Sequence, residues 1–283
     1  MISDLYAFPP EEISSSKTLT EQLIMAHRRL AELKDAAPLL PNQDILLNTL
    51  ALQEAKDSSA LENIITSHDE LFKQELDIPQ FNNAAAKEVS LYADALRLGF
   101  ERIKSNRQLT LDDLVTIQSV LVIGDPGPGI RTKPGTVVGN RVTGEVVYNP
   151  PQDYDQITEL LKKLITFFNQ DADHELEKLV RMALNKKKKK KIHPFYDGNG
   201  RTGRILNLLY LVQHGLLDLP ILYLSRYIVR EKSTYLAHFR SNPVDDNWEG
   251  GLMFMLHGVE LTSNETINTI HSLRDLMANF QER

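Results

Sequence analysis

Apolar residues recur along most of this chain at intervals of three and four, the spacing that lines one face of an α-helix. Leu19, Leu23, Ile24, Ala26, Leu30 and Leu33 predict a first helix over 18–33, after an irregular arm over 1–18 that contains Pro9, Pro10 and three consecutive serines. Pro38 and Pro41 interrupt the pattern, and Asn42 or Asp44 is suited to cap a second helix carrying Ile45, Leu46, Leu50, Leu52 and Ala55. After a loop over 77–83, Val89, Tyr92, Ala93, Leu96 and Phe100 mark a long helix from Ala84 to Ser105. Thr110-Leu111-Asp112-Asp113 opens another, with Leu114, Ile117, Leu121 and Val122 on it, and a glycine-rich turn over 124–129 ends it. Further helices are predicted over 154–169 and 175–184, and over two separate stretches, 248–259 and 260–280. Ile205 to Leu211 is apolar almost all round, which predicts a buried helix closed by Gly215. One stretch breaks the pattern. From Val137 to Tyr148 two β-branched runs flank turn residues, predicting a hairpin that must lean on the body or on a partner. The expected fold is mainly α with one short β-hairpin.

Composition narrows this picture only slightly. Hydrophobic content of 42% and charged content of 25% are ordinary for a globular protein. With 32 Lys and Arg against 38 Asp and Glu, the net charge of −6 argues against a general binder of nucleic acid or anionic membrane. Zero cysteines excludes disulfides and thiolate metal sites. Together with an N-terminus that lacks signal-peptide character and no apolar run near the ~20 residues of a membrane helix, it leads us to expect a cytoplasmic protein.

The chemistry is concentrated in twelve residues, His193-Pro194-Phe195-Tyr196-Asp197-Gly198-Asn199-Gly200-Arg201-Thr202-Gly203-Arg204. Gly198 and Gly200 allow a tight turn with bare N–H groups at the start of the buried helix, and a helix start suits phosphate. Arg201 and Arg204, three residues apart, can fork onto phosphate oxygens. Asp197 is a hard oxygen ligand suited to Mg²⁺, and His193 is the neutral-pH proton acceptor of the stretch. These residues predict a nucleotide or polyphosphate site with a base beside it. Gly124-Asp125-Pro126-Gly127, by contrast, lacks the Lys-Ser/Thr ending of a phosphate loop.

The string resembles the signature of the Fic family, His-Pro-Phe-x-Asp/Glu-Gly-Asn-Gly-Arg-x-x-Arg, at every specified position. The resemblance implies a Fic-type helical bundle that moves AMP from ATP onto a protein hydroxyl. It implies His193 as the base, Asp197 on Mg²⁺, and ATP held by Gly198, Asn199, Gly200, Arg201, Thr202, Gly203 and Arg204, with Tyr235 at the adenine and ribose. The hairpin over 137–148 becomes a flap along which the target protein aligns. Upstream, Ser58-x-x-x-Glu62-Asn63 resembles the inhibitory helix of one Fic class, Ser/Thr-x-x-x-Glu-Gly/Asn, which implies that Glu62 pairs with Arg204 in the place of the ATP γ-phosphate while Ser58 steadies it. The expected division is an N-terminal helical module over 1–105 carrying that helix at 42–65, a catalytic core over 106–260 and a C-terminal helix over 261–283.

One segment departs from the family pattern. Six lysines, Lys186 to Lys191, stand directly before Ile192-His193 where relatives have a mixed polar and apolar helix end. Extending the phase of Val180, Ala183 and Leu184 turns Lys187 and Lys191 toward the core; we read the run as an altered stretch in preference to an interaction patch. The expected activity is an autoinhibited protein adenylyltransferase using ATP and Mg²⁺, with a target protein and no nucleic acid or membrane as partner. Removal of AMP, transfer of another phosphate-containing group, and a non-catalytic nucleotide-binding regulator are the alternatives, and a homodimer is left open.

Overall fold

The computed structural model of the chain describes residues 16–76, 83–122, 129–139, 146–171, 175–240 and 248–281. The N-terminal arm, the loop over 77–82, the turn over 123–128 and the tip of the hairpin lie outside them. Among the described residues the chain forms eleven α-helices and one two-stranded antiparallel sheet, the mainly α architecture that the apolar spacing predicts.

Local signals place most helix ends. α1 (Lys17–Ala36) starts on Ser16, and Pro38 turns the chain through a short 3-10 segment into α2 (Gln43–Ala60). The Asn42 side chain caps α2 by accepting from the Asp44 N–H at 2.9 Å. After α3 (His68–Glu75), Asn83 caps α4 (Ala84–Asn106), which Arg107 ends at φ 61°. Thr110 and Asp113 form a reciprocal capping box at the start of α5 (Leu111–Leu121). The hairpin, β1 (Val138–Gly139) and β2 (Val146–Tyr148), pairs Val138 with Tyr148 and Gly139 with Val146. Then follow α6 (Tyr154–Asn169), α7 (Glu175–Ile192), α8 (Asn199–Gln213), α9 (Leu224–Arg230), α10 (Lys232–Arg240) and α11 (Trp248–Gln281). The last corrects the expectation of two helices: the pattern continues through 259–260 without a breaking residue, and α11 lies along α1 over its length, so packing carries it on.

The core is organised around α8. Ile205, Leu208, Leu209, Tyr210 and Leu211 are fully buried, because α2, α4, α5 and α7 surround the helix. A helix that is apolar all round has no solvent face to present. Its N-terminus therefore opens at a fixed point between the N-terminal helices and the hairpin. No helix among the described residues is long and apolar enough to cross a membrane.

α4 and α8 approach closely where they cross at Gly99. A Cβ placed on Gly99 would lie 2.6 Å from Leu209 Cδ1 and 3.0 Å from Ile117 Cδ1, on two different helices that cannot both withdraw. Gly99→Ala should gain at most ~1 kcal/mol of helix propensity and lose ~1–3 kcal/mol to overpacking. We expect a net loss of about 1–2 kcal/mol in urea unfolding, and a stabilised variant would show that this crossing is looser than described.

Candidate active site

His193 stands where α7 ends. Its N–H donates to the Lys189 carbonyl at 3.1 Å, and the backbone then leaves the helix through a positive φ of 46°. Such a conformation at a non-glycine residue costs on the order of 1–3 kcal/mol and persists only when its surroundings over-determine it. Arg131 supplies much of that constraint. Its buried guanidinium donates from Nε to the His193 carbonyl at 2.9 Å and from Nη2 to the Pro151 carbonyl, while its own N–H donates to the Pro194 carbonyl at 2.9 Å. Ile130 and Phe195 form an antiparallel bridge alongside, and Tyr148 of β2 donates its hydroxyl to the Lys190 carbonyl. The hairpin and the histidine loop are thus fastened to the same few atoms.

The loop from 195 to 199 closes on itself. Asn199 accepts from the Phe195 N–H at 3.1 Å and donates to the Phe195 carbonyl at 2.7 Å, so both ends of its amide shape the loop. Gln118 of α5 bridges the other side, donating to the Asp197 carbonyl at 3.1 Å and accepting from the Gly129 N–H at 2.9 Å. Gly198 caps α8 in the left-handed region at φ 75°, where a side chain would also press Val122. The Thr202 hydroxyl donates back to the Gly198 carbonyl at 2.7 Å, and the Lys189 side chain passes alongside Gly203. The first-turn N–H groups of α8 are left pointing into the cleft, as a helix start dictates.

Glu62 sits over that helix start. It lies in the turn that follows α2, not in the helix itself: the Ile64 N–H bonds back to the Ser59 carbonyl at 3.1 Å and Asn63 takes φ 66°. This is the wrapping of a Schellman ending, and asparagine is among the few non-glycine residues that accept it. The Glu62 carboxylate meets Arg204 Nη2 at 3.0 Å. A Cβ on Gly200 would fall 2.0 Å from Glu62 Oε1, so the bare glycine is what gives the carboxylate room. Ser58 engages the arginine of that pair: Arg204 Nε donates to the Ser58 hydroxyl at 2.6 Å and Nη2 donates to the Ser58 carbonyl at 2.9 Å. Burial opposes the Arg204 charge, but Glu62, Tyr235 and Tyr92 outweigh it and hold the guanidinium pKa above its ordinary value. Tyr235 of α10 is half-buried against Phe254 and lies within the field of the Arg204–Glu62 pair.

Arg201 is equally buried but differently engaged. Its Nη1 lies 2.8 Å from Glu88 of α4 and its Nη2 is 3.4 Å from Asp197. The Asp197 side chain remains 57% exposed at the mouth of the cleft. Among the described residues no three His, Cys, Asp or Glu gather into a metal site. Magnesium held by one carboxylate plus substrate phosphates needs no such cluster, so Asp197 fits that ion.

The lysine run continues α7, whose buried surface is wider than the stripe read off Val180, Ala183 and Leu184. It takes in Leu179, Met182, Lys186, Lys188 and Lys189, while Lys191 is half-exposed; the Lys187 side chain lies outside the described residues. Lys186 Nζ rests over the Tyr235 ring and against Met255 Sδ, Lys188 over Phe167, and Lys189 donates to the Asn199 carbonyl at 2.6 Å. Burial pushes all three ammonium groups down, Lys188 to about 8. It does the same to His193, lowered to about 4 by burial first and then by Lys189, Arg131 and Lys190, against an opposing pull from Glu62. The imidazole is therefore neutral near pH 7, with one ring nitrogen free of a proton.

The structure therefore gathers His193, Asp197, Gly198, Gly200, Arg201, Arg204, Ser58, Glu62 and Tyr235 around one cleft. Arg131, Gln118 and Glu88 complete its framework without any local signal in the sequence, since each stands in an unremarkable stretch and acts across the fold.

Comparison with known proteins agrees with this arrangement. The profile of the Fic/DOC family N-terminal region matches residues 20–101, and that of the Fic/DOC family matches residues 108–211. Protein adenylyltransferase fic-1 of Caenorhabditis elegans is 28% identical over 113 residues, covering 40% of this chain and 21% of that protein. Its Caenorhabditis briggsae counterpart is 26% identical over the same length and coverage. The chain thus spans about a fifth of the curated relatives it matches. Among solved structures, a Fic family protein from Desulfovibrio desulfuricans G20 superposes with a TM-score of 0.70 at 19% identity, over 94% of this chain and 77% of that one. Residues 134–508 of Fic-1 from C. elegans give 0.66 at 21% identity, over 92% and 74%. With both profiles matched in order, and with the signature residues assembled at the start of a buried helix, the chain belongs to the Fic/DOC family.

Proposed function

We propose that this chain is an autoinhibited protein adenylyltransferase, moving AMP from ATP to a Ser, Thr or Tyr hydroxyl of a target protein with release of pyrophosphate. The observation that carries the reading is the Glu62–Arg204 pair at 3.0 Å above Gly200, an anion already seated on an anion-binding helix start beside a neutral histidine. The family membership and the adenylyltransferase relatives support the same reaction class.

In this reading His193 takes the proton of the target hydroxyl as its oxygen attacks the α-phosphorus, and the bond from that phosphorus to the bridging oxygen of pyrophosphate breaks. The N–H groups at the start of α8 stabilise the charge that develops on the phosphate oxygens. Arg204 takes the terminal phosphate once Glu62 has left it, and Arg201, backed by Glu88, adds its charge on the β-phosphate side. Asp197 would hold Mg²⁺, which neutralises charge on the phosphates. Tyr235 walls the side where the adenine and ribose would lie. The target segment aligns along the hairpin over 137–148, whose Val137 and Val146 are exposed, by main-chain pairing.

The assignment of His193 separates chemistry from binding. His193→Ala should abolish AMP incorporation while ATP affinity stays within about twofold, because imidazole moves the proton and holds no phosphate. Retained transfer with lost ATP binding would reverse that assignment.

The pH dependence follows from the lowered imidazole. A base held near 4 is deprotonated throughout pH 5.5–8, and kcat/KM reports the free enzyme. In the Glu62→Gly variant, which lacks the one group that favours imidazolium, kcat/KM should stay flat from pH 8 to 5.5. A fall centred near 6.5 would mean that His193 titrates as an ordinary solvated histidine.

Inhibition should pass through Arg204 alone. A misplacement of about 1 Å can cost ~10²-fold in rate, so Glu62→Gly should raise AMP incorporation by up to that order. Combined with Arg204→Ala it should raise it far less. Equal rates for the wild type and Glu62→Gly at every ATP concentration would leave Glu62 a structural carboxylate.

A further inference from the structure

Glu54 is a buried carboxylate that takes no part in the chemistry above. It lies on α2, two turns before Glu62, and is 3% exposed. It accepts from the Ser225 N–H at 2.9 Å, from the Ser225 hydroxyl, and from the Tyr92 hydroxyl at 3.2 Å. One turn on, Asp57 accepts from the Tyr223 hydroxyl. One residue further, Ser58 meets Arg204 through its hydroxyl and its carbonyl. A single side of α2 thus carries three hydrogen bonds to the segment that opens α9, then two to the arginine of the anion site.

The rest of the α2 surface constrains this alignment less sharply. Leu46, Leu50, Ala51 and Ala55 are buried, but apolar burial is non-directional, and small residues such as Ala51 and Ala55 resist sliding only weakly. A helix advances ~1.5 Å and turns ~100° per residue, so a shift of a fraction of a residue is enough to lift the Glu62 carboxylate from Arg204. Three donors converging on one carboxylate are directional, and leaving that carboxylate short of a donor in a buried site is costly. Burial raises the pKa of Glu54 while the Ser225 donors and the nearby Arg204 favour its charged form, so Glu54 lies in the field of the same guanidinium that Glu62 meets. Ser225 also opens the α9–α10 segment that carries Tyr235, so Glu54 ties the inhibitory turn to the wall of the nucleotide site.

We propose that Glu54 is a positioning residue for inhibition: by fastening α2 to the Tyr223–Ser225 segment it sets Ser58 and Glu62 onto Arg204. The proposal rests on the autoinhibited adenylyltransferase reading for its effect on rate, though not for its effect on α2. Glu54→Gln keeps the shape and removes the charge. The amide oxygen can still accept from the Ser225 N–H while the N–H₂ faces the Ser225 and Tyr92 hydroxyls, which then accept, so charge-assisted hydrogen bonds become neutral ones. It should raise AMP incorporation about tenfold over the wild type, the order of the difference between charged and neutral hydrogen bonds. Added to Glu62→Gly it should raise the rate no further, because the gain comes from release of Glu62 and that variant has already lost the carboxylate. Ser225→Ala, which removes one donor of the three, should act in the same direction and less strongly. In parallel, amide hydrogen exchange over 55–62 should quicken about tenfold in Glu54→Gln while exchange over α11 stays as in the wild type. Equal losses of rate in the wild-type and Glu62→Gly backgrounds, or unchanged exchange over 55–62, would overturn the proposal. Should Glu62→Gly itself transfer no AMP while exchange over 55–62 responds as described, the adenylyltransferase reading fails and the positioning role of Glu54 stands.

Discussion

A buried guanidinium needs an anion, and much of this structure is arranged to give Arg204 one. The side chain is 5% exposed in the second turn of a helix whose N-terminus already carries partial positive charge. Left alone, that concentration of like charge away from water would be strongly unfavourable. Ser58 and Glu62 resolve it within the chain, and on the proposed function a nucleotide phosphate resolves it from outside. The N-terminal helices can therefore be understood as a carrier for the internal anion, and α8 as the platform on which both anions would sit.

The second constraint is the histidine loop. Its left-handed turn at His193 is imposed by Arg131, which binds carbonyls on both sides of the cleft, and by Asn199, which clamps Phe195 at both its N–H and its C=O. The hairpin shares the same fastenings through Pro151 and Tyr148. A two-stranded hairpin has little stability of its own, so the atoms that orient the base also hold the surface proposed to receive the target.

Much of this was legible in the sequence, for physical reasons that can be traced. Helices with one apolar face announce themselves by period, and Asn42, Thr110 and Gly215 mark their ends by side-chain chemistry or backbone freedom. The twelve residues from His193 to Arg204 are adjacent in the chain, so their joint chemistry is readable without a fold. Glu62 was reachable only through a family resemblance, since a carboxylate in a helical stretch looks like any other. Arg131 could not be found this way: it acts on a residue 62 positions away. The buried surface of α7 is wider than the stripe of Val180, Ala183 and Leu184: Leu179, Met182, Lys186, Lys188 and Lys189 are buried as well, while Lys191, expected toward the core, is half-exposed. Asn199 was expected to face phosphate, yet its amide is spent on the loop, a choice that depends on where Phe195 lies in space.

The bare α-carbon of Gly200 has a consequence of another kind. The volume a side chain would fill there is taken by a Glu62 oxygen, and on the proposed function it is also needed for a phosphate. One compartment with room for one occupant makes exclusion mutual. The balance between the resting and working protein would then be read out as a ratio of local to dissolved anion, graded by supply, with no requirement for a second stable shape of the whole molecule.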